Sequence, residues 1–189
     1  MDNYICIITG PIGSGKSYLG TVLADNGFEV LDLDEVSNQI LYSPEGQSYI
    51  KENFSETFID GKFHKEKLSK IVFSDREKLK QLEEFIHPKV NIKTSNWIDG
   101  LDKYGFIEVS APQKAFKDYR TIVVNAPEKT RIDRLIKRGM ELEDIKRRIA
   151  TQQDNEWWES LGHSINNLSK HNLIKEVMYL LKEWNWVDE

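Results

Sequence analysis

The sequence predicts an α/β fold built on a parallel sheet. Three observations carry that expectation: a short apolar run at residues 4–8, a glycine-rich segment leading from it into a helical pattern, and further apolar runs at 106–109 and 121–125 separated by loop or helix-period sequence. A continuous apolar run reads as a strand buried on both faces, as in a sheet covered by helices on each side. Strands alternating with helical patterns give βαβ units with right-handed crossovers. Ligands then bind at the carboxyl edge of the strands.

The elements follow in order. After the strand at 4–8 and its glycine turn, Leu19, Val22 and Leu23 mark a helix running from Lys16 to Ala24, which Asn26-Gly27 stops. A second strand is expected near 28–31, completing a βαβ unit in about thirty residues. The middle third has little strand character, and residues 44–53, 65–73, 75–85 and 88–101 read as helices. Leu68, Ile71 and Val72 keep the i, i+3, i+4 spacing of one helix face, as do Leu79, Leu82 and Ile86, and Pro88 suits a helix's first turn. Strands resume at 106–109 and 121–125, and Pro127 opens a strongly basic helix. Residues 164–166 suggest a fifth strand before a closing helix that carries Leu173, Val177, Leu180, Leu181 and Trp184 on one face.

Length and composition narrow the function classes. At 189 residues one domain with room for an inserted lid is expected, and the longest apolar run, five residues, is far too short to span a bilayer. A net charge of −5 opposes a broad nucleic-acid surface, so neither nucleic acid nor membrane is an expected partner. The lone Cys6 cannot form an intrachain disulfide, which fits a reducing, cytoplasmic setting. His64, His163 and His171 are scattered without metal-ligand spacing, and the Trp157-Trp158 pair and the Trp184 to Trp186 cluster read as packing surface.

The strongest signal is Gly10-Pro-Ile-Gly-Ser-Gly-Lys16-Ser17, which matches G-x-x-x-x-G-K-[ST] between a buried strand and a helix. Such a loop curls its N–H groups onto phosphate oxygens, and the helix N-terminus adds partial positive charge. Gly10, Ile12, Gly13, Ser14, Gly15, Lys16, Ser17 and Tyr18 are therefore the expected contacts of a nucleoside triphosphate, with Lys16 on the β and γ phosphates and Ser17 on magnesium. Asp32 and Asp34 are expected to alternate with Leu33 at the end of the second strand, so that both carboxylates face the phosphate loop. One could take a hydroxyl proton and the other order magnesium-bound water, while helix capping by Asp34 can coexist with either role.

Residues 129–148 carry eight basic and four acidic side chains, a window of +4 against −9 for the remainder. Arg131, Arg134 and Arg138 share a helix face, and Gly139 gives the segment a hinge, so a basic lid at about 129–150 is expected, with Arg138 the favoured functional arginine. Ion pairs to Asp133 and Glu143 would account for other members of this window. His87, before Pro88, could meet a substrate phosphate or cap the next helix.

These residues together resemble the dephospho-coenzyme A kinase family of P-loop nucleotide-kinase-like proteins. The resemblance runs through the phosphate loop, Val30-Leu-Asp-Leu-Asp-Glu35, Asp60-Gly-Lys-Phe-His-Lys-Glu-Lys-Leu68, Ile71-Val-Phe-Ser-Asp75, Leu82-Glu-Glu-Phe-Ile-His-Pro88, Arg134-Leu-Ile-Lys-Arg-Gly-Met140 and Arg148-Ile-Ala-Thr-Gln152. It implies a three-layer P-loop kinase fold whose five parallel strands lie in the order 2-3-1-4-5, with a core of 1–41 and 102–189 and a helical substrate-side insertion at 42–101. It also implies ATP and Mg2+ as cofactors, Asp34 as the base for the ribose 3'-hydroxyl of dephospho-coenzyme A with Asp32 supporting it, and Lys16 and Arg138 on the moving phosphoryl group. His87 joins Asp32 and Asp34 as a substrate-side candidate, and a monomer or weak homo-oligomer is expected. The chain departs from the family where Pro-Leu-Leu-Phe-Glu follows the third strand, reading Glu108-Val-Ser-Ala-Pro112-Gln-Lys-Ala instead, and His64-Lys65 replaces the family's Asp-Arg. A (deoxy)nucleoside monophosphate kinase and a non-catalytic ATP-binding regulatory module therefore stand as alternatives.

Overall fold

The computed structural model describes residues 4–112 and 118–187, so the Gln113, Lys114 and Ala115 of the divergent segment lie outside the described residues. In chain order the elements are β1 (Ile5–Thr9), α1 (Lys16–Asp25), β2 (Glu29–Asp32), α2 (Leu33–Tyr42), α3 (Pro44–Asn53), β3 (Phe58–Ile59), β4 (Lys62–Phe63), α4 (Lys65–Ser74) and α5 (Arg76–Asp99). They continue with β5 (Gly105–Glu108), β6 (Arg120–Asn125), α6 (Glu128–Lys137), α7 (Leu142–Ala150), α8 (Asn155–Glu159), β7 (His163–Asn166) and α9 (Lys170–Glu183). The chain divides into two compact units, Met1–Asp32 with Leu101–Glu189, and Leu33–Gly100.

The first unit holds a five-stranded sheet in the order β2-β5-β1-β6-β7 with every pairing parallel. With the short β3 and β4 left out of the numbering, this is the expected 2-3-1-4-5. β1 lies at the centre with all five residues buried, which is why its sequence shows no polar alternation. Cys6 and Ile8 of β1, Phe106, Ile122, Val124 and Ile165 meet Leu19 and Leu23 of α1 and Leu173, Val177 and Leu181 of α9 in one core cluster. Ile7, Ile107 and Val123, which alternate with those strand residues, are equally buried. Glycines and polar groups are thereby pushed to the strand ends, where the loops begin.

The second unit is built from α2, α3, α4 and α5 with a small antiparallel hairpin. Ser43 caps α3 by accepting from Gly46 N–H, with Pro44 in the first helical position. Asp75 caps α5 by accepting from Glu77 and Lys78 N–H. Leu41, Ile50, Phe54, Leu68, Val72 and Leu82 form its core.

Three expectations are corrected here. The helices read at 75–85 and 88–101 are one continuous helix, α5, with Pro88 inside it, so His87 is an exposed mid-helix residue and not a cap between two helices. Leu82 and Val90, buried two turns apart on one face, anchor both sides of the proline and outweigh its missing N–H. The middle third also contains β3 and β4, joined through Asp60 and Gly61 at φ 49° and 75°, the two-residue connection that suits a tight hairpin. Finally, β2 ends at Asp32 and α2 starts at Leu33, so Asp34 stands in a helix's first turn and the strand alternation proposed for the acid pair does not apply. A carboxylate is favoured there by the helix dipole.

Candidate active site

The phosphate loop leaves β1 through Gly10 at φ 143°, where a Cβ would lie 2.0 Å from the Val124 carbonyl oxygen of β6. Only a residue without a side chain lets the loop pass so close to the neighbouring strand. Gly15, at φ 110°, turns the chain into α1, and a Cβ there would fall 2.2 Å from Asn167 Nδ2. The amides at the start of α1, including those of Lys16, Ser17 and Tyr18, have no acceptor within the helix and so form an anion-binding end. Lys16 is buried, and its Nζ donates to Gly10 O at 2.9 Å, holding the amine across the loop it belongs to.

The loop is gripped from outside by residues far along the chain. Arg134 donates through Nη1 to Ser14 O at 2.9 Å and, at 3.4 Å, to Gly13 O, and through Nη2 to Asn167 O at 3.0 Å. Asn167 Nδ2 donates to the same Ser14 oxygen at 2.7 Å. Arg131 Nη1 reaches Ile12 O at 3.4 Å, and Ile12 N–H donates to Gln152 Oε1 at 3.0 Å. Burial, and then the charge of Arg138, hold the Arg134 guanidinium below its ordinary value, and burial does the same for Arg131 with Glu128 opposing it. Both remain charged at neutral pH, given how far arginine starts above it. Two of the three expected lid arginines thus serve the loop's backbone, while Arg138 is exposed at the C-cap of α6 beside Arg134. In α7, Lys146 pairs with Glu143, and Arg147 and Arg148 pair with Asp144, all on solvated surface. Pairs of that kind contribute little.

Glu108 is a candidate site residue that sequence reasoning passed over. Ser17 Oγ donates to Glu108 Oε1 at 2.8 Å, and Glu108 is only 6% exposed at the carboxyl end of β5. In register it stands beside Ile8 of β1 and Asp32 of β2, so the Asp32 and Glu108 backbones are one strand spacing apart, about 4.8 Å. A hydroxyl and one or two carboxylates are hard oxygen donors, the set that magnesium takes when substrate phosphates and water complete its shell. Among the described residues no three acidic, histidine or cysteine side chains gather as a group that could hold a metal ion by themselves. The signal was a single acid closing the otherwise apolar Phe106-Ile-Glu-Val109, at the same edge as the loop.

The structure therefore brings Gly10, Ile12, Gly13, Ser14, Gly15, Lys16 and Ser17 together with Arg134, Asn167 and Gln152 in the first unit, where Asp32 also lies. Tyr18 is half-buried with Lys170 Nζ 4.7 Å from its ring centre. Asp34 and His87 belong to the second unit, both exposed, and the His87 side chain makes no hydrogen bond or ion pair among the described residues.

Comparison with known proteins gives a consistent result. The family model described as "Dephospho-CoA kinase" matches residues 4–170. A dephospho-CoA kinase of Sulfurimonas denitrificans is 32% identical over 81% of this chain and 79% of its own. Among solved structures, TT1252 from Thermus thermophilus superposes with a TM-score of 0.78 at 28% identity, covering 94% of this chain and 97% of that one. Dephospho-CoA kinase from Campylobacter jejuni gives 0.70 at 25% identity over 95% and 96% of the two chains.

Proposed function

The chain belongs to the dephospho-CoA kinase family, and on that premise we propose that it transfers the γ-phosphoryl group of ATP to the ribose 3'-hydroxyl of dephospho-coenzyme A. The products are coenzyme A and ADP. In the transfer a bond forms between the acceptor oxygen and the γ-phosphorus, the bridging P–O bond to ADP breaks, and the hydroxyl proton passes to a carboxylate. The observation that carries the reading is the phosphate loop with Lys16 folded across it and Ser17 joined to Glu108.

Each residue's part follows from its chemistry. The loop amides and Lys16 hold the phosphates, and the Lys16 ammonium offsets charge that moves toward the bridging oxygen during transfer. Ser17, Glu108 and Asp32 are the residues that would hold magnesium, which supplies charge neutralisation on the phosphates. Asp34 is assigned as the proton acceptor, and Arg138 as the guanidinium donor to the transferring group.

The deciding assay is ADP release with magnesium and ATP, offering dephospho-coenzyme A beside ribo- and deoxynucleoside monophosphates. Turnover with dephospho-coenzyme A alone is expected, and preference for a monophosphate would reject the acceptor assignment. Asp34→Asn should lower kcat by roughly 10²-fold or more with ATP binding retained. Near-normal turnover in that variant would remove Asp34 from proton transfer.

A further inference from the structure

The peptides of the phosphate loop are oriented from outside the loop, and Gln152 holds one of them. In a trans peptide the C=O of one residue and the N–H of the next point in opposite directions, and the chain has no cis bond among the described residues. Arg131 Nη1 reaches Ile12 O at 3.4 Å, so the Gly13 N–H points away from that guanidinium. α6 closes that side of the loop, since a Cβ on Gly13 would lie 2.9 Å from Arg131 O. The preceding peptide is held at both ends: Ser14 N–H donates to Pro11 O at 3.2 Å, and the Ile12 N–H, turned the opposite way, donates to Gln152 Oε1 at 3.0 Å. With the planes on both sides of its Cα fixed, Ile12 keeps little freedom in φ or ψ.

Stability alone does not call for Gln152. Immobilising a glutamine side chain costs about as much as one neutral hydrogen bond returns. Even so, the backbone that delivers it is pinned on both sides. Thr151 caps α7, donating its N–H to Arg147 O, and the Gln152 N–H donates to Ile149 O at 3.1 Å. On the other side Gln153 O accepts from Nε1 of Trp158, a buried side chain. Since an N–H can be met only by the carboxamide oxygen, the Ile12 bond fixes which end of Gln152 faces the loop, and Nε2 makes no hydrogen bond among the described residues.

The part of the loop that Gln152 holds is the part that faces the transferring group. Lys16 Nζ, 2.9 Å from Gly10 O, marks the place of the outer phosphates, because a lysine at this position of the motif reaches β and γ. The amides at the start of α1 take the phosphates nearer the nucleoside. Residues 10–13 therefore stand at the γ end, and the Gly13 N–H, turned away from Arg131, is the loop amide aimed there. Charge gathers on the oxygen between the β and γ phosphorus atoms as the bond to ADP breaks, so a donor fixed at that end acts more on the transition state than on bound ATP.

Resting on the phosphoryl-transfer reading above, we infer that Gln152 is a positioning residue for that transfer: by holding the Ile12 N–H outward it locks, together with Arg131 on the next carbonyl, the Gly13 N–H onto the β–γ bridging oxygen. Its Oε1 does this work through the loop backbone, without touching the nucleotide. The inference concerns the donor side of the reaction and does not depend on which acceptor is phosphorylated.

The test compares Gln152→Met, which keeps the length of the side chain and loses the acceptor, with Gln152→Glu, which keeps an acceptor and adds a charge. Three quantities are measured: the single-turnover rate with magnesium, ATP and the acceptor the parent phosphorylates, the calorimetric Kd for ATP without acceptor, and the Tm without nucleotide. Gln152→Met should lose about tenfold or more in rate, with the ATP Kd within about twofold and the Tm within about 4 °C. Gln152→Glu should show the opposite pattern, a rate closer to the parent and an ATP Kd raised about threefold or more by its charge. An unchanged rate in Gln152→Met would overturn the inference and leave the activity standing. A loss in Gln152→Met that appears in the ATP Kd and the Tm instead of the rate would also overturn it, since that marks a structural contact only. Equal rate losses in both variants would overturn it too, because transfer would then depend on the Nε2 end and not on the Ile12 bond. A parent that transfers phosphoryl to none of the acceptors offered would instead remove the reading on which the inference rests.

Discussion

Arg134 holds the phosphate loop by its backbone, and replacing it with methionine isolates that contribution. Arg134→Met keeps most of the aliphatic stem and removes the guanidinium that donates at 2.9 Å to Ser14 O and at 3.0 Å to Asn167 O. A hydrogen bond from a charged donor is worth about 1.5–3 kcal/mol when buried. Here the side chain is only half-buried and Ser14 O keeps its second donor, Asn167 Nδ2, so the two bonds together come to about 2–3 kcal/mol. For a chain of this length 1 kcal/mol moves Tm by about 2–4 °C, which gives an expected loss of about 4–12 °C without nucleotide. Trp157, Trp158, Trp184 and Trp186 lie in the sheet-bearing unit, so tryptophan fluorescence during heating reads chiefly that unit, with Trp97 in the other. Because Arg134 and Asn167 share one acceptor, Arg134→Met with Asn167→Ala should depart from additivity by about 1 kcal/mol. An unchanged Tm in the nucleotide-free protein, combined with a raised KM for ATP, would refute the reasoning. It would mean that the guanidinium faces nucleotide and not the loop.

Further expectations follow from the same geometry. Glu108→Gln keeps the Ser17 contact possible but removes a charge, so kcat should fall about tenfold or more and the magnesium concentration for half-activity should rise; a magnesium titration checks both. Gly10→Ala places a methyl group against the Val124 oxygen, and ATP binding measured by calorimetry should be lost while the purified protein keeps most of its helical circular dichroism. Complete burial pushes the Cys6 thiol far above its ordinary value, so it should resist a disulfide reagent at pH 8 in the native protein and react at once in denaturant. Because that group stays neutral in both folded and unfolded chains below pH 7, it should contribute nothing to the acid limb of stability, which Cys6→Ser compared over pH 4–7 would check.

What could be read in the sequence depended on how local its cause was. β1 and β6 are apolar runs because side chains on both of their faces are buried, and the loop's glycines announce themselves through spacing alone. Asp34 was misplaced because Asp32-Leu-Asp34 alternates like a strand, yet the chain changes period at Leu33, a switch that three residues cannot reveal. β3 and β4 have two residues each, too few for any periodicity, although the Asp60-Gly61 turn was a usable sign. Arg131 and Arg134 looked like lid residues, and Asn167 drew no notice, because their partners lie about 120 to 150 positions away in the chain. Glu108 carried a local signal, one acid in an apolar strand, that the missing Pro-Leu-Leu-Phe-Glu beside it obscured.

The central place of β1 bears on how the polypeptide is made. Ile5 pairs with Gly105, so β1, once synthesised, waits for 100 further residues before its first neighbour exists, and its other neighbour, β6, comes later still. At ordinary synthesis rates that wait is about 5–20 s. During it the whole of residues 33–100 emerges and can settle its own short-range contacts, whereas Ile5-Cys-Ile-Ile8 stays an unpaired, β-prone tetrapeptide. The nascent chain is therefore most exposed to mispairing at the segment that becomes the buried centre of the finished sheet.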